Sequence, residues 1–143
     1  MSTPSAASLW IRLAKSYGIT LRSVRRIPMR DGVTLPQFDV LAQLLRYPEG
    51  MTSKHLSEEL LVTAGNVTGL ITRLQANGWV ERHPHPTDGR AALLKLTKAG
   101  RRLIEAETKL HSEGLEKLFQ GISTKERVVL KKALDQFRSS LES

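Results

Sequence analysis

Residues 64–77 constrain the fold more than any other stretch, because they combine an apolar side with a side of small and hydrogen-bonding residues. The apolar positions follow the i, i+3, i+4, i+7 pattern of an amphipathic helix: Val67, Leu70, Ile71 and Leu74. Thr63 is a suitable N-cap for this helix. Asn77 and Gly78 form a strong stop signal, because glycine takes the left-handed cap conformation at little cost. The pattern predicts a helix that packs one side on a domain and leaves the other side free.

Helical periodicity and capping signals predict five further helices. They are predicted at 6–27, at 35–47, at about 53–60, at about 98–120 and from residue 123 towards the C-terminus. Two capping boxes mark helix starts, Thr34 with Gln37 and Ser123 with Glu126. Thr97 is the expected cap of the long fifth helix.

A β-hairpin is predicted directly after the amphipathic helix. Its strands are expected at 79–83 and 90–96, on either side of a loop that is rich in turn-forming residues. The fold class is therefore mainly α with a small β-hairpin wing. The order of short helix, turn, amphipathic helix and hairpin is that of a winged helix-turn-helix. The expected organisation is an N-terminal helix, a winged helix-turn-helix region and C-terminal helices, at 1–34, 35–97 and 98–143.

The free side of the amphipathic helix has the composition that a DNA groove requires. It carries no acidic and no bulky apolar residue, and the major groove of B-DNA is wide enough for one α-helix. Asn66 can read adenine through its amide, while Thr68 and Thr72 can reach bases or phosphates. Gly65 and Gly69 cost helix propensity, which close approach to DNA would explain. The simpler alternative is a surface helix of poor propensity.

The hairpin loop supplies a second predicted contact. Arg90 near its tip suits the narrow minor groove, and Asp88 is expected to orient the Arg90 guanidinium by a charge-assisted hydrogen bond. His85 in the same loop can touch a phosphate. A solvated turn is the alternative for this loop. The complete predicted DNA-binding set is Thr63, Gly65, Asn66, Thr68, Gly69, Thr72, Arg73, His85, Asp88 and Arg90.

The charge balance favours an anionic partner. The 143 residues include 22 basic and 14 acidic side chains, a net charge of +8, and no cysteine. The lack of cysteine excludes a disulfide scaffold, an iron–sulfur site and a thiol redox sensor. The N-terminus lacks the pattern of a secretory signal, and no apolar run could span a bilayer. The sequence therefore predicts a cytoplasmic protein without a membrane partner.

Several motifs in order resemble the MarR family of bacterial transcriptional regulators. The matching stretches are 35–41, 66–74, 78–82, 88–90 and 96–100. The resemblance implies a homodimer whose N- and C-terminal helices interlock and whose two winged domains face one pseudo-palindromic operator in double-stranded DNA. This chain departs from the family pattern at three positions: Gly89 replaces a wing arginine, Leu61 stands where many members have glycine, and Gly69 stands where many have arginine.

The last predicted helix supports a dimer independently of the resemblance. Leu130, Leu134, Phe137 and Leu141 recur at heptad-like spacing, which is typical of a face that packs on another helix. The first helix carries a similar series that begins with Leu9 and Leu13. These six residues are the predicted dimer interface.

The resemblance also implies repression that a small, often aromatic and anionic, effector relieves. The candidate effector-binding residues lie along the first helix: Trp10, Tyr17, Arg22, Arg25 and Arg26. The alternative is that Trp10 and Tyr17 are ordinary core or dimer residues. His83 and His85 lie two residues apart, but no carboxylate cluster accompanies them, so neither a metal nor another cofactor is predicted.

Three other functions remain open at this stage. A sequence-independent architectural DNA-binding protein would need only the basic charge, and a protein-docking winged helix would not need a DNA-facing helix. An enzyme has no supporting motif, since the chain lacks a glycine-rich phosphate loop, an HExxH pattern and a nucleophile elbow.

Overall fold

The computed structural model describes residues 1–61 and 65–143, which form six helices and one two-stranded hairpin. In chain order the elements are α1 (Ala6–Val24), α2 (Leu35–Arg46), α3 (Ser53–Glu59), α4 (Val67–Ala76), β1 (Val80–Pro84), β2 (Ala92–Leu96), α5 (Lys98–Leu118) and α6 (Thr124–Glu142). The predicted fold class, mainly helical with a small hairpin wing, is confirmed. Two compact units share the chain: residues 27–112 form one, and residues 1–26 with 113–143 form the other.

The unit of residues 27–112 has a continuous apolar core. Helix α2 passes through it and contributes the largest share of fully buried side chains, while α3, α4, β1, β2 and α5 each contribute at least one. The buried apolar residues are Val33, Phe38, Val40, Leu41, Leu44, Met51, Leu56, Ile71, Leu74, Val80, Leu94 and Ile104. The elements around α2 thus turn one side to a common centre, whereas α2 is covered on more than one side, because residues 37–41 are all buried.

Capping fixes where α2 begins and how the chain leaves α3. The predicted capping box is present, because Thr34 accepts from the Gln37 N–H and the Gln37 side chain accepts from the Thr34 N–H. Asp39, which is buried on α2, accepts a hydrogen bond from the Leu61 N–H at 3.0 Å. A carboxylate from the core therefore binds the backbone of the second residue after the end of α3.

The hairpin is tied to the helical core at its base. Strands β1 and β2 pair antiparallel from Val80↔Leu96 to Pro84↔Ala92. Met51, in the connection between α2 and α3, exchanges backbone hydrogen bonds with Leu94 at 2.8 and 3.0 Å. Strand β2 therefore has a second backbone partner beside β1, and its middle residue is held against the α2–α3 connection.

The unit formed by residues 1–26 and 113–143 has a different character, because neither α1 nor α6 contains a buried residue. Arg127 closes the turn between α5 and α6: its guanidinium donates to the carbonyls of Ile122 and Phe119 and pairs with Glu116 at 2.9 Å. The predicted capping box of Ser123 and Glu126 is present, and the backbone hydrogen bond from Ser123 lowers the pKa of Glu126.

Element boundaries agree with the sequence predictions to within about three residues. Helix α1 ends at Val24, three residues before the predicted end, and α4 begins at Val67, three residues after the predicted start. No helix in the described ranges is both long enough and apolar enough to cross a membrane.

Candidate nucleic-acid interface

The start of α4 corrects the prediction for residues 64–66. Asn66 is the N-cap: its side-chain oxygen accepts a hydrogen bond from the Gly69 N–H at 2.8 Å, and the helix begins at the next residue. Gly65 precedes the helix at φ +107°, a conformation that favours glycine. Thr63, the predicted cap, lies outside the described residues. The cap is therefore Asn66, three residues after the predicted Thr63.

Gly69 lies beneath the capping side chain. A Cβ placed on Gly69 would stand 2.8 Å from the Asn66 amide nitrogen, closer than carbon and nitrogen normally approach. The glycine at this position therefore has a reason within the protein, namely room for the cap. The predicted reason, close approach to DNA, is not needed to explain it.

The free side of α4 is exposed and bears hydrogen-bonding and basic groups. Thr68, Thr72 and Arg73 are exposed, while Ile71 and Leu74 on the opposite side are fully buried. The Thr72 hydroxyl donates to the Thr68 carbonyl at 2.9 Å, so its lone pairs remain available to an incoming donor. The helix thus presents donors and acceptors on a rigid apolar base.

The wing loop holds its own shape through hydrogen bonds near its tip. The Nδ1 atom of His85 accepts from the Thr87 N–H at 3.2 Å and from the Asp88 N–H at 3.0 Å. Asp88 in turn accepts from the Arg90 backbone N–H at 2.9 Å. The predicted Asp88–Arg90 contact therefore exists at the backbone and not at the guanidinium, because the Asx-type turn brings the Arg90 amide to the carboxylate. The Arg90 side chain is exposed.

A second arginine on the wing was not singled out from the sequence. The Nε atom of Arg82 on β1 donates to the Gln75 side chain on α4 at 3.1 Å. This contact joins the wing to the helix and fixes one edge of an exposed guanidinium. Arg82 belongs to the 78–82 motif, but residue spacing alone did not show that this part of β1 contacts α4 at Gln75.

The wing histidines have protein partners. His83 lies 2.9 Å from the carboxylate of Glu81, two residues away on the same strand. Within the ranges described above, no three histidine, aspartate or glutamate side chains come together as a metal site. His83 and His85 thus each have a hydrogen-bond partner within the wing.

The predicted effector-binding residues do not form one pocket on α1. Trp10, Tyr17 and Arg22 are exposed on the helix, and Arg25 and Arg26 are exposed just after it. At 1.5 Å per residue, Trp10 and Arg25 are about 22 Å apart along the axis, which exceeds the length of a small aromatic acid. The six predicted dimer residues are also exposed, between 38% and 69%, in the single chain.

Two ionisable side chains of α5 lie inside the unit of residues 27–112. Glu107 is 2% exposed and accepts a hydrogen bond from the Arg30 N–H at 2.9 Å. His111, one turn later, packs on Phe38 with ring centroids 4.5 Å apart. Burial lowers the pKa of His111 below its ordinary value, and the negative charge of Glu107 opposes that shift. Neither group lies on the exposed side of α4 or in the wing.

Comparison with known proteins identifies the arrangement. The MarR family model matches residues 31–91. An uncharacterised HTH-type transcriptional regulator of Mycobacterium leprae is 30% identical over 129 residues, which cover 87% of this chain and 89% of the relative. The crystal structure of a MarR family transcriptional regulator from Silicibacter pomeroyi is 32% identical, with a TM-score of 0.77 and 92% coverage of both chains.

A further solved structure contains nucleic acid. A mutant of MarR from Escherichia coli, complexed with operator DNA, is 26% identical to this chain, with a TM-score of 0.76, and the match covers 94% of this chain and 99% of that one. These relatives are transcriptional regulators and not enzymes. The motifs, the winged fold and the comparisons agree, and the chain belongs to the MarR family of transcriptional regulators.

Proposed function

We propose that this protein is a homodimer that binds a pseudo-palindromic duplex operator, with one α4 helix of each subunit in a major groove. The observation that carries the proposal is the two-sided character of α4. Its apolar side is fully buried at Ile71 and Leu74, and its free side exposes Thr68, Thr72 and Arg73. Such a helix brings hydrogen-bonding groups to base edges without exposing apolar surface to phosphates.

The wing completes the proposed contact. Arg90 extends from a loop that its own hydrogen bonds hold in shape, and an exposed arginine is suited to the narrow, electronegative minor groove. Arg82, oriented by Gln75, stands between α4 and the wing loop in the chain and can pair with a phosphate. Gly89, where many family members carry a second arginine, leaves Arg90 as the main cation of the loop.

The exposed apolar side chains of α1 and α6 support the proposed dimer. Both helices expose large apolar side chains and bury none, although a helix normally needs such burial to persist in a protein. The exposed apolar residues of this unit include Leu9, Trp10, Leu13, Tyr17, Leu130, Leu134, Phe137 and Leu141. A second copy supplies the same apolar surfaces in return, as a two-fold interface requires. Residues 1–34 and 98–143 would then form the dimerisation region, and residues 35–97 the DNA-binding region.

The E. coli MarR mutant solved with operator DNA supports the nucleic-acid part of the proposal, because this chain shares its fold over nearly its whole length. Repression, with release by a small anionic effector, completes the proposal. In a dimer the arginines near the end of α1 come from two chains, so a carboxylate could meet a site that one α1 helix lacks. Titration with a panel of aryl acids, followed by calorimetry and by operator release, tests this part separately.

Selection from random duplex DNA at near-physiological salt tests the central proposal. We expect enrichment of an inverted repeat whose half-sites lie about one helical turn, 34 Å, apart. Sedimentation equilibrium on the same preparation should give twice the mass of the 16.0 kDa chain. Retained DNA without enrichment would support the architectural alternative, and a lack of retention would support the docking module.

A further inference from the structure

The short segment that joins α4 to β1 is bound to the last turn of α4 through its N–H groups. The Gly78 N–H donates to the Gln75 carbonyl at 2.9 Å, and the Trp79 N–H donates to the Leu74 carbonyl at 3.0 Å. This is the Schellman arrangement, and Gly78 takes the φ of +76° that it needs. The segment therefore moves with the end of α4.

The carbonyl groups of the same two residues are bound from the other side by one threonine. The Thr97 hydroxyl donates to the Gly78 carbonyl at 2.6 Å, and the Thr97 N–H donates to the Trp79 carbonyl at 3.1 Å. The Thr97 oxygen also accepts from the Gly100 N–H at 3.0 Å, which caps α5. One side chain thus joins the end of α4 to the first turn of α5.

The backbones beside this junction are tightly packed. Gly100 is buried in the first turn of α5, and a Cβ built on it would overlap the Trp79 carbonyl oxygen. The backbones of α5 and of the α4–β1 segment are therefore in direct contact. A change in the direction of α5 at this point would push on the end of α4.

We propose that Thr97 is a positioning residue for DNA reading: it fixes the angle between α4 and the start of α5 without touching the nucleic acid itself. The inference rests on the proposed function, in which α4 reads base edges. A helix of ten residues is about 15 Å long, so a tilt of about 10° at its C-terminal end moves its N-terminal end by about 2.6 Å. That displacement is close to the length of a hydrogen bond, and it removes base contacts.

Binding to phosphates tolerates such a displacement much better than base reading does. Electrostatic attraction extends over a Debye length of about 10 Å at 0.1 M salt, and it supplies nearly all of the affinity for non-specific DNA. Loss of the Thr97 junction should therefore lower affinity for the operator and spare affinity for unrelated duplexes. If Thr97 had only a structural role, its loss would lower the fraction of folded protein. Both affinities would then fall by the same factor.

Two substitutions separate the hydroxyl from the bulk of the side chain. Thr97→Val keeps the shape and removes the bonds to Gly78 and Gly100, and Thr97→Ser keeps both bonds. Affinities for the selected operator and for a scrambled duplex are measured by fluorescence anisotropy, at a temperature where circular dichroism and sedimentation show folded dimers. We expect Thr97→Val to lower the affinity for the operator at least tenfold and the affinity for the scrambled duplex less than twofold. Thr97→Ser should stay within threefold of the wild type for both.

Equal losses on both duplexes, or an operator affinity for folded Thr97→Val that matches the wild type, would overturn the proposal. If Thr97→Val does not fold, amide hydrogen exchange on the wild-type protein provides the second test. The amides of Gly78, Trp79, Thr97 and Gly100 should then open together, with protection factors within about threefold of one another. Independent exchange of Gly100 would contradict the junction.

The hydrogen-exchange result needs no DNA, so it does not depend on the proposed function. A wild-type protein that selects no operator would contradict the DNA-reading function itself, whatever the Thr97 variants do.

Discussion

The side-chain oxygen of Asn66 caps α4 by accepting the Gly69 N–H at 2.8 Å, and the nitrogen of the same amide lies 2.8 Å from where a Cβ on residue 69 would stand. Cap and glycine are therefore one structural unit. A side chain added at residue 69 must displace the group that starts the helix.

A double-mutant cycle on this pair should show strong coupling. Alanine in place of glycine inside a helix gains about 1 kcal/mol, and loss of an asparagine cap costs about the same. We expect Gly69→Ala to leave the stability of the wild type nearly unchanged, because gain and loss offset. In the Asn66→Ala background the same change should stabilise by about 1 kcal/mol. Equal effects in both backgrounds, measured by urea unfolding at fixed protein concentration, would show that the two residues are independent.

Gly100→Ala should destabilise the protein strongly, because the new methyl group would overlap the Trp79 carbonyl and force backbone movement. Overpacking of this kind costs about 1–3 kcal/mol or more. Gly18→Ala is a matched control, since Gly18 lies within α1 and nothing stands near its missing Cβ. That change should stabilise by up to about 1 kcal/mol. Thermal unfolding of both variants would contradict this account if the two shift in the same direction.

Arg127 should contribute more to stability than an exposed ion pair does, because its guanidinium binds two carbonyls and a carboxylate at the turn between α5 and α6. Arg127→Lys keeps the charge but loses the forked geometry, so we expect a loss of about 1–2 kcal/mol in the free energy of unfolding. Glu116→Gln removes only the exposed ion pair and should cost less than about 1 kcal/mol. Similar losses in the two variants would mean that the carbonyl contacts add nothing.

Stability should decrease as the pH falls below the ordinary His111 pKa of 6.5, because burial lowers that pKa in the folded chain. In this range the unfolded chain binds a proton that the folded chain does not, and this binding stabilises the unfolded state relative to the folded state. Above pH 6.5 the imidazole is neutral in both states, and this dependence disappears. His111→Gln should reduce the slope of stability against pH below 6.5 relative to the wild type. An unchanged slope would assign the effect to other groups.

Arg90→Ala should weaken binding to operator and scrambled duplex alike, because a minor-groove arginine contributes mainly electrostatic affinity. The slope of log affinity against log salt should fall by about 0.9, the value for one released counterion. Arg101→Ala is the control, since Arg101 is an exposed arginine paired with Glu105 on α5, outside the proposed interface. A slope change of the same size in the control would remove Arg90 from the interface.

Local signals in the sequence predicted most of the fold. The capping boxes at Thr34 and Ser123 and the left-handed Gly78 are where the pattern placed them, because each depends on residues within a few positions. The start of α4 was misplaced for the same reason. Thr63 is an acceptable cap by residue type, and the sequence pattern did not show that Asn66 would accept the Gly69 N–H.

The contacts that hold the candidate interface together were beyond local reasoning. Asp39 binds the Leu61 N–H across 22 positions, and Thr97 binds the Gly78 carbonyl across 19. No periodic pattern in the sequence indicates either pair. Both became visible only once the helices were packed, although both residues lie within stretches that resemble the family.

The wing loop has a consequence for how such regulators diverge. Its hydrogen bonds run among His85, Thr87, Asp88 and Arg90, and the strand below is pinned separately by Met51. Residues at the loop tip can therefore be exchanged without disturbing α4, the helix proposed to enter a major groove. Substitutions in the loop can therefore change the contacts at the flanks of an operator while the central half-sites are read as before. Related regulators in one genome can then differ in operator preference through a few loop substitutions.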